Sequence, residues 1–153
     1  MLIRTPTVEE MDDVFMMGFD VWGEALSPSD YLNDCRNSTK YQKGHWHVLV
    51  VNDEIVSSLI TYKNEFGLPE KCYGIGSVAT PPVCRNKGYA SALVSEVVQN
   101  LELAGGRAIY LFSDIDTGFY EKLGFEIVDL KSGCMIKKVD PISALTQDTP
   151  SYF

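Results

Sequence analysis

Apolar residues recur along the chain with two different periods, and the switches between them mark its elements. Leu2-Ile3-Arg4 is a short apolar start that reads as an edge strand. Thr7-Val8-Glu9-Glu10 fits a capping box, in which the threonine oxygen and the glutamate carboxylate satisfy orphan amides reciprocally. Met11, Val14, Phe15, Gly18, Val21 and Trp22 then fall at helical spacing and predict one amphipathic helix. Ser27-Pro28-Ser29-Asp30 predicts the start of a second, with serine as cap and proline at the first helical position. His47 to Val51 and Ile55 to Tyr62 are runs rich in β-branched residues around the turn signal Asn52-Asp53-Glu54, which predicts a β-hairpin. Asn64 to Lys71, with Gly67 and Pro69, reads as a loop. Tyr73 to Ala79 is a third strand of that run, stopped by Pro81-Pro82. Ala90, Leu93, Val94, Val97, Val98 and Leu101 place one apolar stripe on a long helix, ended by Gly105-Gly106. Ala108 to Phe112 is a buried-type strand, and Thr117 to Leu123 a short helix closed by Gly124. Phe125 to Leu130 and Cys134 to Val139 form a last pair of strands around Lys131-Ser132-Gly133.

One mixed sheet flanked by helices accommodates this order, in a single domain over residues 1–139. Residues 140–153 are polar, contain two prolines and are expected to form a peripheral tail. A chain of 153 residues that is 45% hydrophobic, with seven Phe, eight Tyr and two Trp, can bury a genuine core, which excludes disorder. No run of eighteen apolar residues exists to span a membrane. The first residues lack the basic start and apolar stretch of a signal peptide, so a cytoplasmic location is expected. Cys35, Cys72, Cys84 and Cys134 are scattered, without a C-x-x-C pair, and read as free thiols. A zinc site would need paired ligands at short spacing, so no metal is expected. The net charge of −8 repels phosphate backbones and argues against nucleic acid as a partner. It either attracts a cationic substrate or serves solubility alone.

Candidate chemistry lies between Tyr73 and Gln99. A strand ends in Val78-Ala79-Thr80, Pro81-Pro82-Val83-Cys84 follows, and Arg85-Asn86-Lys87-Gly88-Tyr89-Ala90 leads into the long helix. A helix N-terminus offers unpaired amides and a partial positive charge, which together bind phosphate. Gly88 and Ala90 lack bulk, so a pyrophosphate can approach the backbone, and Arg85 and Lys87 add positive charge. The segment matches neither a Walker A loop nor a dinucleotide fingerprint, because Gly74-Ile75-Gly76 sits inside the strand, ahead of the turn.

The pattern Val78-x-Thr80-x-Pro82-x-x-Arg85-x-x-Gly88-x-Ala90 resembles the cofactor-binding motif of the GNAT superfamily of N-acetyltransferases. Phe119-Tyr120-Glu121-Lys122-Leu123-Gly124-Phe125 is similar to a second signature of the same superfamily. The resemblance extends from Met1 to about Val139. It implies a GNAT-type α/β (α+β) fold: a central mixed, mostly antiparallel twisted sheet of about six to seven strands with about four helices. It further implies acetyl-CoA as cofactor and acetyl transfer to a primary amine of a small molecule, amino acid or protein. Carried over, the backbone of Val78, Ala79 and Thr80 would hold the pantetheine arm. The amides of Arg85, Asn86, Lys87, Gly88, Tyr89, Ala90 and Ser91 would take the pyrophosphate. A free amide near Val78 could supply the donor that the oxyanion needs, and Tyr120 occupies the position of the general acid.

Two positions depart from the usual pattern. Ser113 stands where many members have Asn, and can still donate a hydrogen bond to the cofactor. Asp116 stands where many have Ala, and either steers a cation or weakens cofactor binding. A lysine-like amine, with a pKa of about 10.4, must lose a proton before attack. Glu65, Glu70, His45, His47 or ordered water are the candidates for that base. A local similarity to fungal lysine N-acetyltransferases at Thr80-Pro81-Pro82 and at Ser113-Asp114-Ile115 with Phe119-Tyr120 does not set the acceptor. A catalytically inactive acyl-CoA-binding sensor is the alternative reading, and a homodimer, common in such folds, is left open.

Overall fold

Asn52 and Asp53 form the tip of the expected hairpin, both left-handed with φ of 51° and 64°. Two such residues in a two-residue loop match the natural twist of the flanking strands, and Asn and Asp tolerate that conformation well. A computed structural model describes residues 1–139 and 149–153. The hairpin strands are β2 (His45–Val51) and β3 (Glu54–Lys63); the others are β1 (Leu2–Arg4), β4 (Cys72–Ala79), β5 (Ala108–Phe112), β6 (Glu126–Asp129) and β7 (Cys134–Lys138). They lie in one seven-stranded sheet in the order β1-β2-β3-β4-β5-β7-β6. The sheet is mixed and mostly antiparallel, as expected. Its parallel pair, β4 with β5, aligns Cys72 with Ala108 and Ile75 with Leu111. A parallel neighbour needs a long crossover, and the connection between these strands contains the helix α5 (Tyr89–Leu103).

The chain divides into two units, Met1–Ile60 with Ser77–Val94 and Thr61–Gly76 with Ser95–Phe153. In the first, β1 pairs antiparallel with β2, Ile3 opposite Leu49. Thr7 donates its amide to Glu10 Oε1 at 2.8 Å, and the same carboxylate takes both arms of Arg4 at 2.8 and 2.9 Å. The single helix expected from Met11 to Trp22 is instead two, α1 (Met11–Met16) and α2 (Phe19–Trp22). The break falls at Gly18, against which the Trp22 ring folds so closely that a Cβ there would collide with it. Ser27 caps α3 (Pro28–Arg36) by accepting the Asp30 amide at 3.1 Å, as expected. Ser38 likewise accepts the Tyr41 amide at 3.1 Å and starts α4 (Thr39–Gln42), a turn too short to show periodicity. The split and this extra turn account for two helices beyond the expected four. Val14, Val48 and Val50 form a small core here, with Met11, Trp46 and Ile55 against it.

In the second unit β5 is buried throughout Ala108–Leu111 and pairs antiparallel with β7, Tyr110 opposite Ile136. The short helix α6 (Gly118–Glu121) follows β5 and ends before Gly124, left-handed at φ 96°. Residues 140–148 of the expected tail lie outside the described residues. Of its last residues, Phe153 is only 5% exposed, its ring filling the space beside Gly74, while Ser151 and Tyr152 are exposed. The four cysteines are free thiols, three of them buried.

Candidate functional site

The junction from β4 to α5 is shaped mainly by backbone conformation. Ser77, inside β4, is left-handed with φ 47°, and Ser77 and Val78 are both half-buried after the fully buried Gly74–Gly76. A left-handed residue within a strand bends it and re-aims the groups that follow. Ser57 on β3, fully buried, donates its hydroxyl to the Ala79 carbonyl at 3.0 Å and lies 3.0 Å from the Thr80 hydroxyl. The Thr80 carbonyl accepts Arg85 Nε at 2.9 Å. Two of the three carbonyls in the stretch expected to hold the pantetheine arm, those of Ala79 and Thr80, therefore already have a partner.

Pro81 and Pro82 open a 3₁₀ turn, Pro82–Cys84, in which the Arg85 amide donates to the Pro82 carbonyl at 3.3 Å. That amide, one of those expected to take an anion, is used locally. Asn86 and Gly88 are both left-handed, at φ 64° and 80°, and turn the chain into α5. The Gly88 carbonyl accepts the Ala92 amide at 3.0 Å. The amides of Tyr89, Ala90 and Ser91 thus precede the first intrahelical donor, and the positive end of the helix dipole lies with them. A Cβ at Gly88 would meet no heavy atom within 4 Å.

The Arg85 side chain corrects an expectation. Its guanidinium holds both carboxylate oxygens of Asp20, at 2.7 and 2.8 Å, which lowers the Asp20 pKa and raises that of Arg85. Arg85 is a bracket joining α2 to the Thr80 carbonyl, and its charge is already neutralised. Lys87 is exposed and carries the loop's other positive charge. Neither Asp20 nor Ser57 was found by sequence reasoning. Ser57-Ser58 in the middle of an apolar strand was a usable signal, since a buried hydroxyl needs a partner.

In the second unit, Tyr120 on α6 is 7% exposed, with Phe119 and Phe125 edge-on to its ring at 4.9 and 6.1 Å. Burial, and secondarily the charge of Asp114, pushes its phenol up to about 12. Ser113 uses its hydroxyl within its own turn, donating to the Ile115 carbonyl at 2.8 Å, and its amide goes to the Gly133 carbonyl at 2.9 Å. The side-chain bond to cofactor expected of it is thus directed elsewhere. Asp116 accepts the Gly118 amide at 3.3 Å at the start of α6, which gives it a local structural role.

Among the base candidates, His45 and His47 share a strand face as expected, their rings 4.8 Å apart. Burial, then the neighbouring His45, lowers the His47 pKa to about 4, so it is neutral but weakly basic. The Glu65 carbonyl accepts the Leu68 amide at 2.9 Å within the loop, and Glu70 is exposed. Among the described residues no group of three or more His, Cys, Asp or Glu is arranged to hold a metal ion.

The family model described as acetyltransferase (GNAT) domain matches residues 2–128, and the chain belongs to that family. Solved structures share the fold. A GNAT family acetyltransferase from Brucella melitensis, in complex with acetyl-CoA, is 19% identical with a TM-score of 0.68, covering 99% of this chain and 92% of that one. The PaiA N-acetyltransferase from Thermoplasma acidophilum, in complex with coenzyme A, is 14% identical with a TM-score of 0.63, covering 90% and 98%. An aminoglycoside 6'-N-acetyltransferase complexed with coenzyme A is 17% identical with a TM-score of 0.65, covering 94% and 99%. No curated protein matches the sequence.

Proposed function

We propose that the chain is an acetyl-CoA-dependent N-acetyltransferase, in which a primary amine attacks the thioester directly. The observation that carries this reading is the left-handed Asn86 and Gly88 turn delivering β4 into α5, whose first amides have no intrahelical acceptor. Such a cradle fits a pyrophosphate: Gly88 is open where a side chain would stand, and Ala90 and Ser91 are small. The bound acetyl-CoA of one GNAT structure and the coenzyme A of two others support the same ligand here.

Acetyl-CoA supplies the activated acetyl group. The amides of Gly88, Tyr89, Ala90 and Ser91 hold the pyrophosphate, with Asn86 and Lys87 beside them. The backbone of Val78, Ala79 and Thr80 lies along the pantetheine arm, and the Val78 amide donates to the carbonyl oxygen as negative charge develops on it. Tyr120 stays protonated at neutral pH and hydrogen-bonds the departing sulfur. Full transfer from a phenol at about 12 to an ordinary thiolate, whose acid has a pKa of about 8.5, is uphill, so the hydrogen bond is the larger part of its role. The acidic chain favours a cationic acceptor.

The same poor acidity is what favours the second reading, an idle acyl-CoA-binding sensor. Free-thiol release from acetyl-CoA across a panel of amines, with binding followed by calorimetry, separates the two. Amine-dependent release supports the enzyme, binding without release supports the sensor, and absence of binding removes both. Tyr120→Phe is expected to keep acetyl-CoA affinity and lower turnover about 10–100-fold, at or below the usual range for general acids. Equal turnover takes Tyr120 out of the mechanism.

A further inference from the structure

The segment Thr149–Phe153 is held within the second unit by contacts to the loop at Phe66, to the strands β3, β4 and β5, and to Asp114 just beyond β5. The Ser151 amide donates to the Phe66 carbonyl at 2.7 Å. The buried ring of Phe153 stands 5.1 Å from Phe112, 5.4 Å from Tyr62 and 5.7 Å from Phe66, centroid to centroid. On the remaining side it meets Gly74, where a Cβ would lie 2.5 Å from the ring. A glycine inside a buried strand commonly marks a close approach by another group, and here that group is Phe153. Tyr152, largely exposed, packs its ring at a tilt against Phe112, centroids 5.2 Å apart, and donates its hydroxyl to Asp114 Oδ1 at 3.3 Å.

Phe112 ends β5, and Asp114 lies in the link from it to α6. That link is internally bonded: Ser113 to Ile115 and Gly133, Asp116 to Gly118. A short link stiffened in this way transmits a hold on Phe112 and Asp114 to the helix that carries Tyr120. We propose that Thr149–Phe153 is a positioning strap, seated by Phe153 in the space that Gly74 leaves and tied by Tyr152 to Asp114, which fixes the loop leading to Tyr120. The proposal rests on the reading of Tyr120 as the group that hydrogen-bonds the departing sulfur. Phe153 and Tyr152 act through the loop and are positioning residues, not catalytic ones.

The test is amide hydrogen exchange on the full chain, comparing Phe153→Ala, Phe153→Leu and Tyr152→Phe with the parent protein, together with thiol release. Phe153→Ala is expected to accelerate exchange over residues 113–121 roughly tenfold or more, while residues 45–51 keep their rates. Phe153→Leu restores most of the protection. Tyr152→Phe removes one exposed hydroxyl and does not threaten folding, so it decides the matter where Phe153→Ala fails to fold. It gives a smaller acceleration over the same residues. In thiol release, kcat falls several-fold at unchanged KM for acetyl-CoA. Selective acceleration in neither variant overturns the strap, and so does selective acceleration with unchanged kcat in both. Loss of the enzyme reading looks different, because the parent protein then releases no thiol while the exchange result stands.

Discussion

Ser57 and Ser58 are adjacent, both fully buried, and should respond oppositely to the same substitution. Ser57 donates to the Ala79 carbonyl, itself at a buried position. Ser58 has no hydrogen-bond partner for its hydroxyl among the described residues. Ser57→Ala removes the donor and leaves the carbonyl facing a methyl group, a loss of about 1–3 kcal/mol. For a chain of this length each kcal/mol moves Tm by about 2–4 °C, so a fall of roughly 2–12 °C is expected. Ser58→Ala removes a hydroxyl that was already unsatisfied, and Tm should hold or rise. Calorimetry of the two variants beside the parent reads the difference directly. Acetyl-CoA affinity, titrated on the same samples, should weaken only for Ser57→Ala, since Ser57 fixes the end of β4 at Ala79 and Thr80. If Ser57→Ala loses no more stability than Ser58→Ala, the hydroxyl does not hold the strand end and the reasoning fails.

Gly88→Val should reduce acetyl-CoA affinity at least about tenfold, because a β-branched residue resists φ of 80° and would fill the open side of the cradle; unchanged affinity by calorimetry would remove the cradle from the site. Asp20→Ala should cost less than about 1 kcal/mol in a denaturant titration, as the Arg85 pair is largely exposed, yet raise the acetyl-CoA KM by loosening the Thr80–Arg85 bracket. An unaltered KM would show that the Nε bond to Thr80 suffices alone. His47 has a folded pKa of about 4 against an ordinary 6.5. Between those values the unfolded chain binds more protons, so its contribution to stability is present above about pH 6.5 and is lost as the pH falls toward 4. Denaturant midpoints at pH 7 and pH 4.5 should lie closer together in His47→Gln than in the parent, and an equal gap would show that other groups set the acid response.

Elements that obey local rules were legible in the sequence. The Asn52-Asp53 turn, the Ser27 cap and the Gly124 stop each depend on residues within a few positions, and each stands where the pattern put it. What escaped depends on contacts distant in sequence or on packing. The break falls at Gly18, where the Trp22 ring packs, and a glycine at regular helical spacing does not by itself tell a break from a continuous helix. Phe153 finds Gly74 from 79 positions away, so a polar, proline-containing tail gave no sign of a buried anchor. Arg85 looked like a phosphate partner until Asp20, 65 residues earlier, took its charge.

The corrections fall unevenly between backbone and side chain, and the reason is physical. Left-handed φ at Gly88 is open to few residue types, and close approach to a helix N-terminus requires small ones, so the conformation restricts the letters and the letters reveal the conformation. Away from a helix cap, a charged or hydroxylic side chain has no such signature, because it bonds to whichever partner the fold brings near. Arg85 found Asp20, Ser113 found Ile115 and Asp116 found Gly118. Each of these side chains supports the local structure that presents the backbone instead of reaching for a ligand. An acceptor amine, unlike a pyrophosphate, must be recognised by side chains, so its identity follows from which of them remain uncommitted once such supporting bonds are made. That makes the strap's hold on Asp114 matter beyond stability. With Oδ1 of Asp114 accepting from Tyr152, the carboxylate is oriented by the same contact, and the oxygen it leaves to meet a cation is Oδ2.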